Sequence, residues 1–313
     1  MVIKMEFRHY SVLLKESVDM LGVHEGGIYV DGTMGGGGHS YEILNRGASR
    51  LIGIDRDREA LSASKKRLEG FGERLTQVHG NFSEVKRILR ELDILRIDGA
   101  VLDLGVSSYQ LDNAGRGFSY MHDAPLDMRM DREDTLTAYD VVNEYPAEAL
   151  RRVFYEYGEE KWSGRIAELI VRARDKKKIK TTGELTEIIK AAVPAGARAG
   201  GGHPAKRVFQ AVRIEVNGEL RILRDALKDF IDVLAPGGVL AVITFHSLED
   251  RIVKQTFRDA AQGCVCPKSF PVCVCGKTPE VEILTKKPVL PSEAELDENS
   301  RSKSAKLRAV RKL

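Results

Sequence analysis

A glycine-rich loop is the first part of the sequence whose residue types and spacing could do chemistry. It reads DGTMGGGGH from Asp31 to His39 and follows a short apolar run. Glycine has no Cβ atom, so such a loop at a strand end lets the backbone approach a ligand closely. The glycines lack the spacing of a dinucleotide-binding fingerprint, because Ser40 or Tyr41 falls where the third glycine is needed. This spacing favours a nucleoside ligand with an amino-acid tail over NAD.

Two aspartates stand where carboxylates could bind such a ligand. Asp55 follows the glycines by about 20 residues, the separation at which a strand-end acid accepts hydrogen bonds from ribose hydroxyls. Asp103 ends another apolar run, where a polar side chain could touch both the ligand and a second substrate. A strand-end aspartate can instead cap a helix or anchor a loop, and both interpretations of Asp103 stay open.

The apolar runs predict the elements that position these residues. Short apolar runs indicate strands, and the amphipathic segments between them indicate helices. Their alternation is typical of a parallel sheet with helices on both faces. The predicted strands are 27–32, 50–55, 75–79 and 99–104, and the predicted helices are 40–44, 59–71 and 82–92.

Beyond the fourth predicted strand the alternation stops. Residues 112–134 are polar and loop-like, and residues 147–193 have a helical pattern without a convincing strand. The alternation resumes towards the C-terminus. We therefore expect an α/β domain formed by 1–112 and 204–313, with an inserted all-helical domain over 113–203.

One long amphipathic helix is predicted near the point where the alternation resumes. Its apolar positions recur at spacings of three and four: Val208, Val212, Val216, Leu220, Leu223 and Leu227. Pro236, Gly237 and Gly238 predict its end, and a strand over 239–245 follows. Its polar face carries Arg207, Gln210, Arg213 and Asn217. Such a stripe usually faces solvent, but beside a ligand pocket it could hold a phosphate or a base edge.

His246 and Ser247 come directly after the strand over 239–245, so we expect them at the carboxyl edge of the sheet. A histidine there could accept a proton during catalysis, with Ser247 beside it. The alternative is that His246 makes only structural hydrogen bonds.

All four cysteines lie in one short segment, as the pairs Cys264-x-Cys266 and Cys273-x-Cys275. Four thiolates could close a tetrahedron around zinc and hold together a loop that has little core. The spacing departs from the C-x-x-C of common zinc ribbons, in which two intervening residues let both thiolates turn inward. A reducing cytosol disfavours disulfides, so the alternative is a surface loop with free thiols.

The composition indicates a soluble globular protein. Of its 313 residues, 42% are hydrophobic and 30% are charged, which allows one large core or two smaller ones. No apolar run approaches the roughly 20 residues that cross a bilayer, and the first residues lack the features of a secretory signal. We therefore expect a cytoplasmic protein without membrane contact.

The distribution of charge is more informative than the net charge of +3, which does not by itself indicate a nucleic-acid partner. Residues 172–180 contain six basic residues and one acidic residue, and residues 301–313 contain six basic residues and no acidic one. Both runs could contact RNA. A solvated helix end and a frayed terminus are the alternatives.

Longer motifs resemble one group of enzymes. The stretch from Leu234 to Gly238 resembles the turn that precedes the fifth strand of class I methyltransferases. Further strings, in order over nearly the whole chain, resemble the RsmH (MraW) family of 16S ribosomal RNA (cytosine-N4)-methyltransferases. Those strings are His9–Leu14, Asp31–His39, Asp103–Asp112, Arg116–Ser119, Pro125–Met130, Phe209–Ile214 and Phe245–Arg251.

The resemblance implies a class I (Rossmann-like) methyltransferase sheet with a substrate-facing helical insertion. It implies S-adenosylmethionine as methyl donor and cytidine 1402 of 16S ribosomal RNA, within the small ribosomal subunit, as acceptor. Carried over by motif, the donor contacts fall on Gly36, Gly37, Gly38, His39, Asp55, Phe82, Asp103 and Gln110. Phe82 would contact adenine, with ordinary core packing as the alternative. The cysteine segment is not matched, so the zinc prediction draws no support from the family.

The acceptor chemistry limits the catalytic candidates to Asp103, His246 and Ser247. The exocyclic amine of cytosine is a poor nucleophile because its lone pair is delocalised into the ring. Positioning and a hydrogen-bond acceptor beside the amine therefore matter most. Enzymes that methylate amino groups of DNA bases often carry Asn or Asp followed by Pro-Pro-Tyr at the fourth strand end. Here Leu104-Gly105-Val106 follows the aspartate, so the group that receives the amine hydrogen stays open.

Two other classes of function stay open: a small-molecule methyltransferase or other nucleotide-dependent enzyme, and a ribosome-assembly module without catalysis. The intact loop from Asp31 to His39 argues against the second class. The basic segments and the large insertion favour a macromolecular acceptor over a small one.

Overall fold

The computed structural model describes residues 11–198, 202–267 and 272–313. His9 and Tyr10, which begin the first family-like string, lie outside the described residues. The chain divides into two compact units. The first comprises the residues up to Gly105 and those from Arg221 onward, and the second comprises Val106–Leu220.

The first unit is built on one sheet. Its strands are β1 (Ile28–Asp31), β2 (Arg50–Asp55), β3 (Leu75–His79), β4 (Ile97–Asp103), β5 (Leu234–Thr244), β6 (Val281–Ile283) and β7 (Lys306–Lys312). They lie in the order β3-β2-β1-β4-β5-β7-β6. The first five pair in parallel, whereas β7 pairs antiparallel with β5 and with β6. This order is that of a class I methyltransferase sheet, which confirms the predicted fold class.

Helices connect the strands of the first unit and form most of the second. They are α1 (Leu14–Leu21), α2 (Gly38–Asn45), α3 (Arg58–Leu68), α4 (Val85–Glu91), α5 (Ser108–Asp112), α6 (Ala138–Glu144), α7 (Ala147–Glu156), α8 (Ser163–Arg174), α9 (Thr182–Ala192), α10 (Ala195–Arg198), α11 (Ala205–Asn217), α12 (Glu219–Val233), α13 (Ser247–Ala261) and α14 (Glu293–Glu298). Among the described residues, none of these helices combines the length and apolarity that a membrane span requires.

The sheet of the first unit separates two apolar cores. Val30 and Leu102 enter the core that α4, α12 and α13 cover, whereas their neighbours Tyr29 and Val101 enter the core that α1, α2 and α3 cover. Successive residues of a strand point to opposite faces, so a strand buried on both faces is apolar throughout. This burial explains why the strands appear in the sequence as continuous apolar runs.

The second unit has a separate core, to which α7, α8, α9 and α11 contribute. The segment over 147–193 forms three of these helices, and within it only Thr181 makes a single β-bridge, to Pro125. The helical prediction for this segment is confirmed.

The prediction of one long helix through residues 208–227 is wrong. Gly218 adopts a left-handed conformation with φ 62° and ends α11, and α12 begins at the next residue. Val208 and Val212 pack in the core of the second unit, whereas Leu223 and Leu227 pack in that of the first. The apolar spacing continues across the break, so periodicity alone did not reveal it.

The same break corrects the predicted domain boundaries. The insertion was predicted over 113–203, whereas the second unit spans Val106–Leu220. Val106 and Leu111 pack against its core, and α11 supplies a large part of that core. Both segments were assigned to the α/β domain from the sequence.

The basic run at 301–313 is not a frayed end. It contains β7, the buried strand between β5 and β6, and Leu307 and Val310 of this strand are fully buried. Arg308 is also buried, and its Nε atom lies 2.6 Å from Oδ1 of Asp250. Arg308 is therefore part of the interior and is not available to RNA.

Candidate active site

Three neighbouring strands of the first unit each end in an aspartate. In the order β2, β1, β4 these residues are Asp55, Asp31 and Asp103. The carboxyl ends of parallel strands share one edge of a sheet, which is where ligands bind in open α/β folds. The glycine-rich loop begins at the middle strand, so the structure brings the predicted loop and both predicted aspartates to one edge.

The glycines of the loop are required by its conformation and its packing. Gly37 has φ 74°, a left-handed value that favours glycine, and it caps the N-terminus of α2. A Cβ atom on Gly38 would clash with Oγ of Ser11. The carbonyl oxygen of Gly36 accepts a hydrogen bond of 3.4 Å from Arg67. A side chain at Gly37 or Gly38 would therefore change both the loop and the start of α2.

Asp55 is held by backbone amides on both sides. One carboxyl oxygen accepts a hydrogen bond of 2.7 Å from the amide of Gly35, and the other accepts one of 2.8 Å from the amide of Asp57. Burial raises the pKa of Asp55 to about 6, and the two amides partly offset this rise. The hydrogen bond to Gly35 fixes the loop against the end of β2. It also fixes the carboxyl group in one orientation.

Asp31 was predicted only as the first residue of the loop, but the structure gives it a larger role. Its carboxyl group accepts hydrogen bonds from Oγ of Ser40, at 2.7 Å, and from the amide of Thr33, at 3.3 Å. Asp31 is fully buried, and this burial raises its pKa to about 6. The side chain therefore joins β1 to α2 beneath the loop. An acid directly after a buried strand was the signal in the sequence for this role.

Asp103 is the most perturbed carboxyl group at this edge. Burial raises its pKa well above the usual range, and the nearby carboxyl groups of Asp31 and Glu249 add to the shift. Its Oδ2 atom lies 4.0 Å from Nδ1 of His39, which is buried at the start of α2. Its Oδ1 atom is buried and has no hydrogen-bond partner among the described residues. A buried polar atom of this kind indicates a position that a ligand can satisfy.

Phe82 lies beside the beginning of the loop. A Cβ atom added to Gly32 would lie 3.2 Å from Cβ of Phe82. The ring is half-buried and packs partly against the core that α4, α12 and α13 cover. Asn81 accepts a hydrogen bond of 3.0 Å from the amide of Ser83 and so fixes this turn. Phe82 thus packs in the core and also lies close to the loop.

His246 is the N-terminal cap of α13. Its Nδ1 atom accepts a hydrogen bond of 3.4 Å from the amide of Glu249, and its Nε2 atom lies 3.1 Å from a carboxyl oxygen of the same residue. Glu249 is buried and also accepts a hydrogen bond of 2.9 Å from the amide of Phe245. The Nδ1 atom thus serves the cap, whereas Nε2 is buried and makes no hydrogen bond within the described residues, although it lies close to Glu249. Ser247 is exposed as the first residue of α13.

Glu249 was not predicted as a site residue from the sequence. It shifts the pKa of Asp103 and completes the cap at His246. A carboxylate three residues after a capping side chain is a recognisable N-terminal signature, and it was present in the sequence.

The remaining predicted donor and substrate residues lie in the second unit. Gln110 is buried, and its side chain accepts a hydrogen bond of 3.1 Å from the amide of Ser107. The polar stripe of α11 mostly binds neighbouring loops. Arg207 donates a hydrogen bond to the carbonyl oxygen of Glu159, and Gln210 donates one to that of Tyr157. Arg213 binds Glu219 with two hydrogen bonds of 2.9 Å. Asn217 is buried and joins the backbones of Met128 and Met130.

The match to known families decides the affiliation of the chain. The model of the MraW methylase family matches residues 6–313. The chain belongs to the MraW methylase family. The predicted resemblance is therefore confirmed, and the protein is an S-adenosylmethionine-dependent methyltransferase with a Rossmann-like sheet.

Relatives within the family match the chain over almost its entire length. "Ribosomal RNA small subunit methyltransferase H 2" of Agathobacter rectalis is 57% identical over 311 residues, which cover 98% of this chain and 99% of the relative. The corresponding protein of Carboxydothermus hydrogenoformans is 54% identical and covers 99% of each chain. A solved rRNA methylase of Streptococcus thermophilus aligns over 95% of each chain, with 13% identity and a TM-score of 0.42. The family assignment rests on the sequence matches alone.

Proposed function

We propose that this protein methylates N4 of cytidine 1402 in 16S ribosomal RNA, with S-adenosylmethionine as donor and the small ribosomal subunit as partner in the cytoplasm. The family supports methyl transfer, and the shared name of the relatives supports ribosomal RNA as the acceptor. The observation that carries the proposal is that Asp31, Asp55 and Asp103 lie with the glycine-rich loop at the carboxyl edge of the sheet in the first unit.

The residues at this edge fit the donor. Gly37 and Gly38 form the turn into α2, and the N-terminus of α2 favours the negative charge of a methionine carboxylate. The amide-bound carboxylate of Asp55 accepts hydrogen bonds from ribose hydroxyls, and Phe82 packs against the adenine ring. When bound, S-adenosylmethionine supplies an electrophilic methyl group on a sulfonium centre.

Asp103 is the group that we assign to the acceptor amine. The buried Oδ1 atom has no partner among the described residues, so it can accept a hydrogen from the amine. A protonated Asp103 would be a poor acceptor, but a carboxyl group beside a cationic ligand ionises more readily. The resulting carboxylate would localise the nitrogen lone pair and accept the proton that the amine loses, as the bond from nitrogen to the methyl group forms and the bond from that group to the donor's sulfur breaks. In this proposal His246 and Ser247 lie at the start of α13, and the hydrogen goes to Asp103.

The second unit offers a surface for RNA. An open cleft of about 900 Å³ on this unit is lined by exposed side chains of α7 and α8 and the turn between them: Arg151, Arg152, Tyr155, Lys161, Trp162 and Arg165, with Glu148 and Glu168 as the acids. Arginine and lysine bind phosphates, and exposed aromatic rings stack on unpaired bases. This surface supports an RNA acceptor better than the stripe of α11, whose side chains bind the unit's own loops.

Transfer from labelled S-adenosylmethionine separates the three classes of function. The protein is incubated with small subunits that lack the modification, with bare 16S RNA, or with a small-molecule extract. We expect label in RNA from the first incubation or from the first two. Label only in small molecules would indicate a small-molecule methyltransferase. Donor binding without any transfer would indicate a module that has lost catalysis.

A further inference from the structure

The four cysteines come together in the connection between α13 and β6. Their four sulfur atoms all lie within 4.8 Å of one another. The sulfurs of Cys273 and Cys275 are 3.6 Å apart, and those of Cys264 and Cys275 are 3.7 Å apart. Residues 268–271, between the two pairs, lie outside the described part of the chain and contribute no cysteine.

These separations match a metal centre and do not match a disulfide. Four sulfurs at about 2.3 Å from one zinc ion in a tetrahedron are about 3.8 Å from each other. A disulfide places two sulfurs about 2.05 Å apart. The C-x-C spacing therefore brings Cys273 and Cys275 to the separation that a shared ion requires, although it departs from the common zinc ribbon.

The backbone around the cluster points its amides at the sulfurs. The amides of Cys266, Val274 and Val265 each donate a hydrogen bond of 3.4 Å, to the sulfurs of Cys264, Cys266 and Cys275 in that order. Such bonds stabilise negative charge on thiolates and orient ligands in tetrathiolate centres.

Little else among the described residues holds this segment in shape. Val265, Val272 and Val274 are 52%, 69% and 73% exposed, so these three side chains bury little apolar surface. Its contacts with α13 include a hydrogen bond of 2.9 Å from Nζ of Lys277 to the carbonyl oxygen of Asp259. Four thiols held this closely in an exposed segment need a partner that offsets the cost of ordering the chain.

We propose that Cys264, Cys266, Cys273 and Cys275 bind one structural zinc ion. Thiolate ligands in a tetrahedron select zinc over the oxygen-preferring magnesium and calcium ions. Four protein ligands leave no open position, so the centre closes the connection between α13 and β6 and takes no part in methyl transfer. This inference is independent of the proposed acceptor.

Metal analysis of the full-length protein without a histidine tag tests the proposal. We expect about one zinc per chain in the wild type and essentially none in Cys266→Ser/Cys273→Ser. Val274→Ala is the matched control, because it changes an exposed side chain between two ligands and leaves its amide in place. It should retain the wild-type zinc content.

A second measurement uses only the wild-type protein and so does not depend on the folding of a variant. Titration with a mercurial reagent should release one zinc as four thiols react, and limited proteolysis should then cut within 262–280 while the sheet stays intact. An equimolar iron content would overturn the zinc assignment. So would two disulfides in protein alkylated at lysis, or a zinc content that is the same in wild type and double variant.

Discussion

Asp55 is fixed by the amides of Gly35 and Asp57 at the end of β2, so its contribution to donor binding can be isolated. We expect Asp55→Ala to weaken binding of S-adenosylmethionine by about 10- to 150-fold, because hydrogen bonds to a charged group contribute about 1.5–3 kcal/mol. Calorimetric titration measures this change, and thermal unfolding checks that the variant is folded. Equal donor affinity in wild type and variant would show that Asp55 is misassigned.

The same residue predicts a pH dependence. The pKa of Asp55 is raised to about 6, so the carboxylate that we assign to ribose binding is lost by protonation as the pH falls through 6. Donor affinity of the wild type should therefore decrease below about pH 6. The decrease should be shallower in Asp55→Asn, which cannot ionise there. An identical pH profile for both proteins would assign the titration to another group.

Asp103 should act on the chemical step as well as on donor binding. We expect Asp103→Ala to lower kcat by about 10²- to 10⁴-fold, the usual range for a lost proton acceptor. Single-turnover kinetics at saturating donor measures the step itself. Asp103→Asn is the conservative control, which keeps the shape and loses the charge. A variant that binds donor more weakly but reacts at the wild-type rate once saturated would leave Asp103 as a donor contact only.

At the scale of single residues, the sequence predicted correctly the place of those residues that directly follow a strand. Gly37, Gly38, Asp55 and Asp103 could be placed because the apolar runs before them are unambiguous. The cap formed by His246 and Glu249 was predicted less well, since a histidine at a strand end is compatible with both catalysis and structure. The structure uses Nδ1 of His246 in the cap of α13, and Nε2 makes no hydrogen bond within the described residues, so His246 stays a candidate for both roles.

At the scale of elements, Gly218 ends α11 and separates it from α12. Its φ of 62° is left-handed, and a residue with a Cβ atom there costs about 1–2 kcal/mol. We expect Gly218→Ala to lower the free energy of unfolding by about that amount, as measured by urea denaturation. Gly196→Ala is the matched control, because Gly196 lies in α10, and an added Cβ atom would meet no atom within 4 Å. Equal destabilisation by both substitutions would contradict the assigned role of Gly218.

Periodicity predicted most of the helices and strands but not the break at Gly218 or the strand β7. Both α11 and α12 are amphipathic with similar spacing, so one glycine between them was not distinctive. The sequence of β7, KLRAVRK, contains four basic residues and was interpreted as a charged tail. Tertiary pairing with β5 and the ion pair between Arg308 and Asp250 overrule that local pattern.

At the scale of the whole molecule, the proposed function assigns the donor to the first unit and RNA contacts to the second. Tyr155 is 67% exposed in the basic cleft of the second unit. We expect Tyr155→Ala to raise the KM for small subunits by about 5- to 150-fold, because stacking contributes about 1–3 kcal/mol per base. Donor affinity and kcat should not change. Leu95→Ala, at an 89% exposed position of the first unit, is the control. A wild-type KM for Tyr155→Ala would remove the cleft from the RNA surface.

The methylated atom is the most direct test of the central claim. Small subunits that lack the modification are incubated with the protein and S-adenosylmethionine, and the digested RNA is analysed by mass spectrometry. We expect one N4-methylcytidine at position 1402 with the wild-type protein and at most a trace with Asp103→Ala. A methyl group on another atom or nucleotide, or no methyl group on RNA, would contradict it.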